Sequence, residues 1–528
     1  MSVTANNPIL PGFYPDPSIL AVDGDYYIVN STFSYFPGLS VMHSKDLAHW
    51  EQIGNVMTRE SQLPLPESGS SRGLFAPTIR YHDGTYYVIC TNVTEGGNFI
   101  VTSDRPEGPY SEPHYLKEAD GIDPSLFFDD DGKCYYIGTH GDPENERFWG
   151  DNALYIAEVD LEKFEFKGEV HNVWKSAIRD IPWSEGPHLY KVGEYYYILY
   201  AEGGTGPEHS VCVVRSKNIF GPYENNLCNP IFTHRHLGMR YPIRYVGHAD
   251  LVKTPKDEWY MVMLAVRPAG GFTTMGRETF LARVVWEKDW PVVNPGLGML
   301  SAKLTVDADE FVPESPATSL PGIDKLYDLT KMENFGPEWL MLRNPKDNMY
   351  EFRDGEGLYL TCFNEPVWGF GKPSYAAIRQ DCHCFEAVAT LKGDGLFDGA
   401  SAGLCLFQSE DYQLRLEYSG VSVNMILRKE GKDEKLASAM VPQGIITLGL
   451  QVFGTKAVAF TVKDNQPLVL ANAVDISSLS TEVAGGFVGC TVGMFAQDIE
   501  EREEPVKALF KSFSYKRITK DPEKGEEK

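Results

Sequence analysis

Residues 23–27 read Asp23-Gly24-Asp25-Tyr26-Tyr27, and four later stretches repeat this turn followed by aromatic residues. These are Asp83-Gly84-Thr85-Tyr86-Tyr87, Asp131-Gly132-Lys133-Cys134-Tyr135-Tyr136, Gly193-Glu194-Tyr195-Tyr196 and, more weakly, Lys256-Asp257-Glu258-Trp259-Tyr260. An Asp-Gly turn between aromatic-rich segments is typical of a β-hairpin. Five such units, each of about four strands around one axis, predict an all-β fold and a five-bladed β-propeller. A β-sandwich with chance tyrosine pairs is the alternative.

A second pattern lies ten to twelve residues before each aromatic pair. Its five members are Asp16-Pro17-Ser18, Phe75-Ala76-Pro77-Thr78, Asp123-Pro124-Ser125, Glu185-Gly186-Pro187-His188 and His248-Ala249-Asp250. Equivalent positions in successive blades fall at the mouth of each innermost strand, and the innermost strands surround one channel. We therefore expect the first residue of each stretch to meet the other four at that channel.

Three of these five residues carry a carboxylate, namely Asp16, Asp123 and Glu185. Carboxylates that face one cavity repel each other, so their pKa values separate, and one holds its proton while another stays ionised. Hydrolysis of a glycosidic bond needs such a pair, one as general acid and one as general base. The alternative is that each Asp-Pro-Ser is a turn whose aspartate caps the local backbone.

Composition and charge narrow the range of partners. A chain of 528 residues predicts two or three domains. The formal charge of −26 argues against nucleic acid and against a membrane surface, both of which favour clustered Lys and Arg. The first residues show no secretory signal, and the nine scattered cysteines indicate reduced thiols, so we expect a cytoplasmic protein. A homo-oligomer stays open.

The second half of the chain has a different character. Residues 312–322 are rich in Pro and Ser, which predicts a linker after a propeller at residues 1–311. Alternating apolar and polar residues then favour antiparallel strands and a β-sandwich domain over residues 323–519. Residues 520–528 form a charged tail that we expect to be disordered.

Several blocks of the first domain resemble glycoside hydrolase family 43 in sequence and in order. They are Asn7–Ile19, Ser31–Gly38, Gly121–Phe127, Glu185–Lys191, Gly247–Val252 and Gly276–Phe280. The resemblance is to the two-domain β-xylosidase and α-L-arabinofuranosidase branch. It implies a propeller followed by a concanavalin-like β-sandwich, hydrolysis with inversion, and no required cofactor.

The same resemblance implies roles for individual residues. Asp16 would be the general base that activates water, Glu185 the general acid, and Asp123 the residue that orients the acid and tunes its pKa. The substrate-binding residues would be Phe33, Phe75, Arg277 and His248. In the family this histidine is often found near a Ca²⁺ ion or a water cluster, so a structural calcium at His248 in the channel is a further expectation.

Two positions depart from the xylosidase pattern. Phe75 stands where those enzymes have a tryptophan, and Thr491, in the segment Gly485–Met494 that resembles the loop closing the pocket, stands where an aromatic is expected. We therefore predict an exo-acting enzyme that releases terminal α-L-arabinofuranosyl or β-D-xylosyl residues, or both, from arabinoxylan-type oligosaccharides. A strict β-D-xylosidase and a sugar-binding propeller without catalysis are the alternatives.

Overall fold

The computed structural model describes residues 2–176, 180–397, 399–463 and 466–518. Within these ranges the chain folds into β-strands joined by turns, with one α-helical turn, α1 (Thr481–Ala484), and five short 3₁₀ segments. The predicted all-β class is confirmed. No helix in these ranges is long and apolar enough to cross a membrane. The predicted tail at 520–528 lies outside the described residues.

The first domain consists of five four-stranded antiparallel sheets, one for each copy of the repeat. After β1 (Val3–Asn6), the first sheet holds β2 (Ser18–Val22), β3 (Asp25–Asn30), β5 (Gly38–Ser44) and β6 (Glu51–Met57), with the short β4 (Tyr35–Phe36) outside it. The second holds β7 (Thr78–His82), β8 (Thr85–Asn92), β9 (Gly97–Ser103) and β10 (His114–Tyr115). The third holds β11 (Ile122–Phe128), β12 (Cys134–His140), β13 (Ala153–Asp160) and β14 (Glu165–Trp174). The fourth holds β15 (Glu185–Val192), β16 (Tyr195–Glu202), β17 (Ser210–Ser216) and β18 (Glu224–Asn225). The fifth holds β19 (Arg244–Lys253), β20 (Trp259–Val266), β21 (Glu278–Glu287) and β22 (Trp290–Val293), and β23 (Lys303–Val306) follows.

The first strands of the five sheets form a closed ring. β2 contacts β7, β7 contacts β11, β11 contacts β15, β15 contacts β19, and β19 returns to β2. Each repeated turn joins the first strand of its sheet to the second, and each aromatic pair lies on that second strand. Asp23 and Gly24 both have positive φ, at 52° and 91°, as a tight two-residue hairpin turn requires. The repeat therefore sets the positions of the innermost strands.

The ends of the first domain lie side by side. β1 pairs with β23 in antiparallel register, with Val3 opposite Val306 and Asn6 opposite Lys303. The Asn7 side chain adds a hydrogen bond from Nδ2 to the Leu281 carbonyl, at 2.8 Å. This pairing fixes the first sheet to the fifth and closes the seam of the ring.

The predicted linker at residues 312–322 is held against the first domain. The Phe311 amide donates to the Asp46 carboxylate at 2.8 Å, and the Ser315 amide donates to the Glu51 carboxylate at 2.7 Å. A 3₁₀ turn, Ala317–Ser319, follows. Although its composition is typical of a flexible spacer, the segment is fixed in place because buried carboxylates accept the amide of Ser315 and that of Phe311, the residue just before it.

The second domain is a pair of antiparallel sheets around one apolar core, in agreement with the predicted β-sandwich. Its strands are β24 (Lys325–Asp328), β25 (Met341–Leu342), β26 (Tyr350–Arg353), β27 (Gly357–Thr361), β28 (Ser374–Arg379), β29 (Cys384–Lys392), β30 (Ser401–Ser409), β31 (Tyr412–Ser419), β32 (Ser422–Lys429), β33 (Lys432–Met440), β34 (Ile445–Phe453), β35 (Lys456–Lys463), β36 (Gln466–Asp475), β37 (Thr491–Gln497) and β38 (Lys507–Arg517). One sheet has the order β28-β37-β30-β31-β32-β33. The other has the order β26-β27-β38-β29-β34-β35-β36, with β24 also paired to β38.

The two domains share both a strand pairing and an apolar cluster. β25 pairs with β4, so that Leu342 lies opposite Tyr35. Around this pairing, Phe13 and Phe33 of the first domain pack in one buried cluster with Tyr375 and Phe495 of the second. Burial of large aromatic side chains at this contact holds the second domain next to the mouth of the ring.

Candidate active site

A cavity of about 320 Å³ opens at one end of the ring. Its walls are formed by Asp16, Phe33, Phe75, Ala76, Ile122, Asp123, Trp183, Glu185, Gly204, Thr205, His209, His248, Arg277 and Phe487. All seven residues predicted to form the site are in this set. Residues far apart in sequence meet here because they lie on or just before the first strands of the five sheets or on connections between strands, with Phe487 on a loop after α1.

Unusual backbone conformations direct several of these side chains into the cavity. Asp16, Asp123 and His248 have φ values of 51°, 55° and 48°, in the left-handed region that non-glycine residues seldom occupy. The pairing of β11 with β12 shifts register beside Asp123, and the pairing of β19 with β20 shifts at His248. Such bulges redirect side chains and are common beside active sites. The strained backbone thus aims the polar groups into the cavity.

Asp16 is held by two donors. Arg277 donates from Nη1 to Asp16 Oδ1 at 2.6 Å, and Ser31 donates from Oγ to Asp16 Oδ2 at 2.7 Å. Burial by itself raises the pKa of this carboxyl, but the positive charge of Arg277, then that of His248, and the Ser31 hydrogen bond outweigh it and leave the pKa below its ordinary value. Asp16 is therefore ionised at neutral pH.

The charges around Glu185 have the opposite effect to those around Asp16. Burial, followed by the negative charges of Asp123 and Asp16, raises the pKa of Glu185 well above its ordinary value. The pKa of Asp123 is also raised, by burial and by Asp16, although the positive charge of His248 and the Gly186 amide, which donates at 3.0 Å, oppose the shift. Glu185 therefore keeps its proton at a pH at which Asp16 has lost its own.

Three phenylalanines form an apolar wall of the same cavity. The ring centroids of Phe33 and Phe75 lie 5.3 Å apart, and Phe487 lies 5.9 Å from Phe33 and 5.8 Å from Phe75. The Arg277 guanidinium lies over Phe33 and Phe487, at 5.6 and 5.7 Å from their centroids. An aromatic wall facing hydrogen-bonding groups is a suitable surface for a sugar ring.

Phe487 comes from the second domain, on the loop between α1 and β37. Its amide donates to Ser71 Oγ at 2.9 Å, and its carbonyl accepts from Arg277 Nη2 at 3.4 Å. Gly276 and Gly489 touch where this loop crosses the first domain, because a Cβ on Gly276 would stand 2.7 Å from the Gly489 nitrogen. The second domain therefore closes one side of the cavity, as the sequence led us to expect.

The expectation for Thr491 was wrong. Thr491 begins β37 and is fully buried, with its hydroxyl 2.9 Å from the Tyr375 hydroxyl and 3.3 Å from that of Tyr35. It does not line the cavity, so its identity says nothing about the pocket's shape. The aromatic residue that this segment contributes to the cavity is Phe487, four positions earlier.

Sequence reasoning also missed Trp183 and His209, both of which line the cavity. Trp183 has a φ of 59° and lies two residues before Glu185, so a tryptophan next to a predicted catalytic position was the available signal. His209 lies one residue before β17 and has no counterpart in the repeat. Neither residue belongs to a first strand, and the repeat alone could not select them.

His248 lies against Gly186, where a Cβ would stand 2.9 Å from the imidazole. The expected calcium ion would need six to eight oxygen ligands, mostly carboxylates and carbonyls. Across the described ranges, no three His, Cys, Asp or Glu side chains are grouped closely enough to hold a metal ion. A structural calcium at His248 stays a prediction.

The arrangement supplies the parts of an acid–base reaction. One carboxylate is held ionised, another keeps its proton, and a third separates their pKa values, all in one cavity with an aromatic wall. Pairs of carboxyl groups with divergent pKa values indicate the base and the acid of a hydrolytic site. An ionised aspartate opposite a protonated glutamate is the pair used to hydrolyse glycosidic bonds.

Comparison with known proteins adds two matches to family models. The model of "Glycosyl hydrolases family 43" matches residues 5–291, and the model of "Beta xylosidase C-terminal Concanavalin A-like domain" matches residues 331–516. The two matches lie on either side of the predicted linker, one on each domain of the structure.

Individual relatives extend over nearly the whole chain. A "Xylosidase/arabinosidase" from Butyrivibrio fibrisolvens is 46% identical over 505 residues, which are 94% of this chain and 96% of that protein. A "non-reducing end alpha-L-arabinofuranosidase" from Bacteroides ovatus is 35% identical over 93% of this chain and 91% of that protein. The crystal structure of a xylan β-1,4-xylosidase from Bacillus halodurans C-125 superposes with a TM-score of 0.89 at 32% identity, covering 97% of this chain and 100% of that one.

Proposed function

Since the chain belongs to glycoside hydrolase family 43, we propose that it is an exo-acting, inverting enzyme that releases terminal pentoses from arabinoxylan-type oligosaccharides. Its substrates are those ending in α-L-arabinofuranosyl or β-D-xylosyl units. The observation that carries the proposal is the opposite displacement of the pKa values of Asp16 and Glu185 inside one cavity. A site that only bound sugar would have no need to hold a glutamate protonated beside two aspartates.

The reaction assigns one task to each carboxyl group. Asp16 takes a proton from a water molecule, whose oxygen attacks the anomeric carbon of the terminal sugar from the face opposite the leaving group. The bond from that carbon to the glycosidic oxygen breaks, and Glu185 transfers its proton to the departing oxygen. Because the displacement happens once, the anomeric configuration inverts. Proton exchange with solvent then restores both carboxyl groups, while Asp123 keeps the pKa of Glu185 high.

Exo action follows from the closed side of the cavity. On that side Phe487, held by the hydrogen bond from its amide to Ser71, blocks an oligosaccharide from continuing past the terminal sugar. Only one end of an oligosaccharide then reaches Asp16 and Glu185, with the sugar ring against Phe33 and Phe75. A cavity of about 320 Å³ has room for one pentose and part of the next unit.

Action on both pentoses is supported by the names of the relatives. The protein from Butyrivibrio fibrisolvens is named for both xylosidase and arabinosidase activity, and the one from Bacteroides ovatus for the second alone. These relatives favour dual action over a strict β-D-xylosidase. Phe75 presents a smaller ring to the terminal sugar than the tryptophan of the xylosidase pattern.

The architecture that creates the site is part of what we propose. The five sheets are the blades of a five-bladed propeller, which is supported by the ring of contacts among β2, β7, β11, β15 and β19. The chemistry needs no cofactor, since water, Asp16 and Glu185 supply every atom that moves. A cytoplasmic location and a homo-oligomer stay predictions.

The test compares two substrates side by side. Purified protein is assayed on an aryl β-D-xylopyranoside and an aryl α-L-arabinofuranoside, and proton NMR follows the anomer released first. We expect turnover of both and an inverted first product. Turnover of the xyloside alone would replace the proposal with a strict β-D-xylosidase, and binding of xylo-oligosaccharides without turnover would indicate a sugar-binding propeller. A first product of retained configuration would contradict the single displacement.

A further inference from the structure

His209 has a fixed position at the wall of the cavity. Its Nδ1 lies 2.9 Å from the carbonyl oxygen of Tyr245, a residue whose φ of 60° turns that carbonyl out of the regular strand. A Cβ built on Gly247 would stand 2.3, 2.4 and 2.5 Å from Nε2, Cε1 and Cδ2 of the imidazole. Such similar distances place the face of the ring on Gly247, and they leave the in-plane lone pair of Nε2 unobstructed by that residue.

The Tyr245 contact determines the tautomer. A carbonyl oxygen only accepts, so Nδ1 must carry the hydrogen that joins them. Burial lowers the pKa of His209 to about 3, so the ring is neutral at the pH at which Asp16 and Glu185 act. A neutral imidazole protonated at Nδ1 has a bare nitrogen at Nε2, which is a pure acceptor.

A neutral acceptor of this kind differs from the other polar groups of the cavity. Asp16 accepts already from Arg277 and Ser31, Asp123 accepts from the Gly186 amide, Glu185 holds its proton, and Arg277 only donates. No described residue donates to His209 Nε2, and His209 lines the cavity. A sugar hydroxyl that reaches this wall and donates its hydrogen finds a partner there that needs no rearrangement.

We propose that His209 binds the terminal pentose, with Nε2 accepting the hydrogen of one sugar hydroxyl, and that it selects sugars with a hydroxyl at that position. The inference rests on the proposed function, because it places a pentose in this cavity. Its physical basis is that a buried acceptor left without a donor is costly, so a sugar lacking the hydroxyl is rejected more strongly than its lost contact alone would suggest.

The test is a double-mutant cycle between His209 and the sugar. kcat/KM is measured for the wild type and for His209→Phe on the aryl pentosides and on their monodeoxyfluoro analogues, in which a fluorine that cannot donate replaces one hydroxyl. We expect His209→Phe to lower kcat/KM about 10- to 100-fold on the parent glycosides. On the single analogue that lacks the partner hydroxyl, variant and wild type should agree within about threefold. His209→Gln, which keeps an acceptor, should recover part of the loss.

Two further variants separate binding from folding. Thr233→Val removes the hydrogen bond from Thr233 Oγ1 to the His209 carbonyl, at 2.8 Å, without touching the imidazole, and should keep the hydroxyl dependence of the wild type. Gly247→Ala displaces the ring and should lose that dependence, which keeps the test decisive if His209→Phe does not fold. Equal losses on every analogue, in His209→Phe and in Gly247→Ala, would overturn the inference. Absence of wild-type turnover on all glycosides would instead contradict the proposed function.

Discussion

Two layers of side chains line the channel of the first domain, two or three residues apart along the same strands. The cavity layer consists of Asp16, Asp123, Glu185 and His248. The network layer consists of Ser18, Ser125, His188 and Asp250, joined by Arg80 from the second sheet. Both layers lie inside the channel, yet two of their acids behave in opposite ways: the pKa of Glu185 is raised well above its ordinary value and that of Asp250 is lowered to about 2.

The difference lies in the number of donors per carboxylate. Asp250 accepts from Ser18 Oγ at 2.7 Å, the Ile19 amide at 3.1 Å, Arg80 Nη1 at 3.0 Å, Tyr190 OH at 2.5 Å and the Leu251 amide at 2.9 Å. In the cavity layer, three carboxyl groups share one guanidinium, that of Arg277. Burial disfavours the charge in both layers, and the donors decide which group keeps it. A carboxyl group with few hydrogen-bond donors keeps its proton and can act as an acid, whereas one with many donors stays ionised and holds its partners in place.

Glu185→Gln should have the largest effect on turnover. It removes the transferable proton and leaves the shape of the side chain, so we expect kcat/KM on an unactivated xylo-oligosaccharide to fall about 10²- to 10⁴-fold. Thermal unfolding should be unchanged or occur at a higher temperature, because a carboxyl group that repels two neighbours is gone. Steady-state kinetics and calorimetry measure the two effects. A variant with wild-type turnover on that substrate would remove Glu185 from the mechanism.

Asp250→Asn is the matched change in the network layer. It leaves Arg80, whose side chain is 15% exposed, without its fully buried anion, and we expect a loss of about 3–5 kcal/mol in the free energy of unfolding. Since the pKa of Asp250 is depressed, its contribution is complete above the unfolded value near 4 and disappears as the pH falls toward 2. Urea unfolding at pH 7 and at pH 3 should therefore show a smaller difference between variant and wild type at the lower pH. An equal difference at both would contradict this account.

Ser31→Ala tests whether the hydrogen bond from Ser31 helps to keep Asp16 ionised. Loss of the 2.7 Å hydrogen bond raises the pKa of Asp16, and Asp16 must be ionised to accept a proton from water. The acidic limb of the kcat/KM profile should move to higher pH by about 0.5–1 unit, equivalent to about 0.7–1.4 kcal/mol. The basic limb, set by Glu185, serves as the internal control. An unmoved acidic limb would show that Ser31 does not support the base.

Tyr190→Phe should have the smallest effect. It removes one of the five donors to Asp250, and the remaining four keep that carboxylate ionised, so the stability should fall by about 1 kcal/mol. The pH profile of kcat/KM should coincide with that of the wild type, in contrast to Ser31→Ala. If the pH profile moved as well, the two layers would be coupled, and Asp250 could not be treated as independent of Asp16 and Glu185.

The repeat allowed the sequence to predict all four residues of the cavity layer, together with Phe75. Five residues lie ten to twelve positions before an aromatic pair, namely Asp16, Phe75, Asp123, Glu185 and His248. Because equivalent positions of successive sheets meet at the channel, all five line the same cavity. The strained φ values that aim three of them are not visible in a residue pattern. Arg277 and Phe33 were found through the family resemblance, because neither belongs to the repeat.

The missed residues lie on connections. Phe487, Trp183 and His209 reach the cavity from loops whose course depends on packing between elements distant in sequence. The error at Thr491 has the same origin: the expected aromatic was placed on what proves to be the first residue of a strand. Phe487 is the sole aromatic of that glycine-rich segment, which was the usable signal.

The seam between the first and fifth sheets also determines when the cavity can be completed during synthesis of the chain. Asp16 receives its guanidinium from a residue 261 positions later, across the closure that β1 and β23 secure. A nascent chain contains Asp16 early, but the Asp16–Arg277 pair cannot form until the fifth sheet has left the ribosome. We therefore expect hydrolytic activity only after the ring has closed, so that turnover would report its closure.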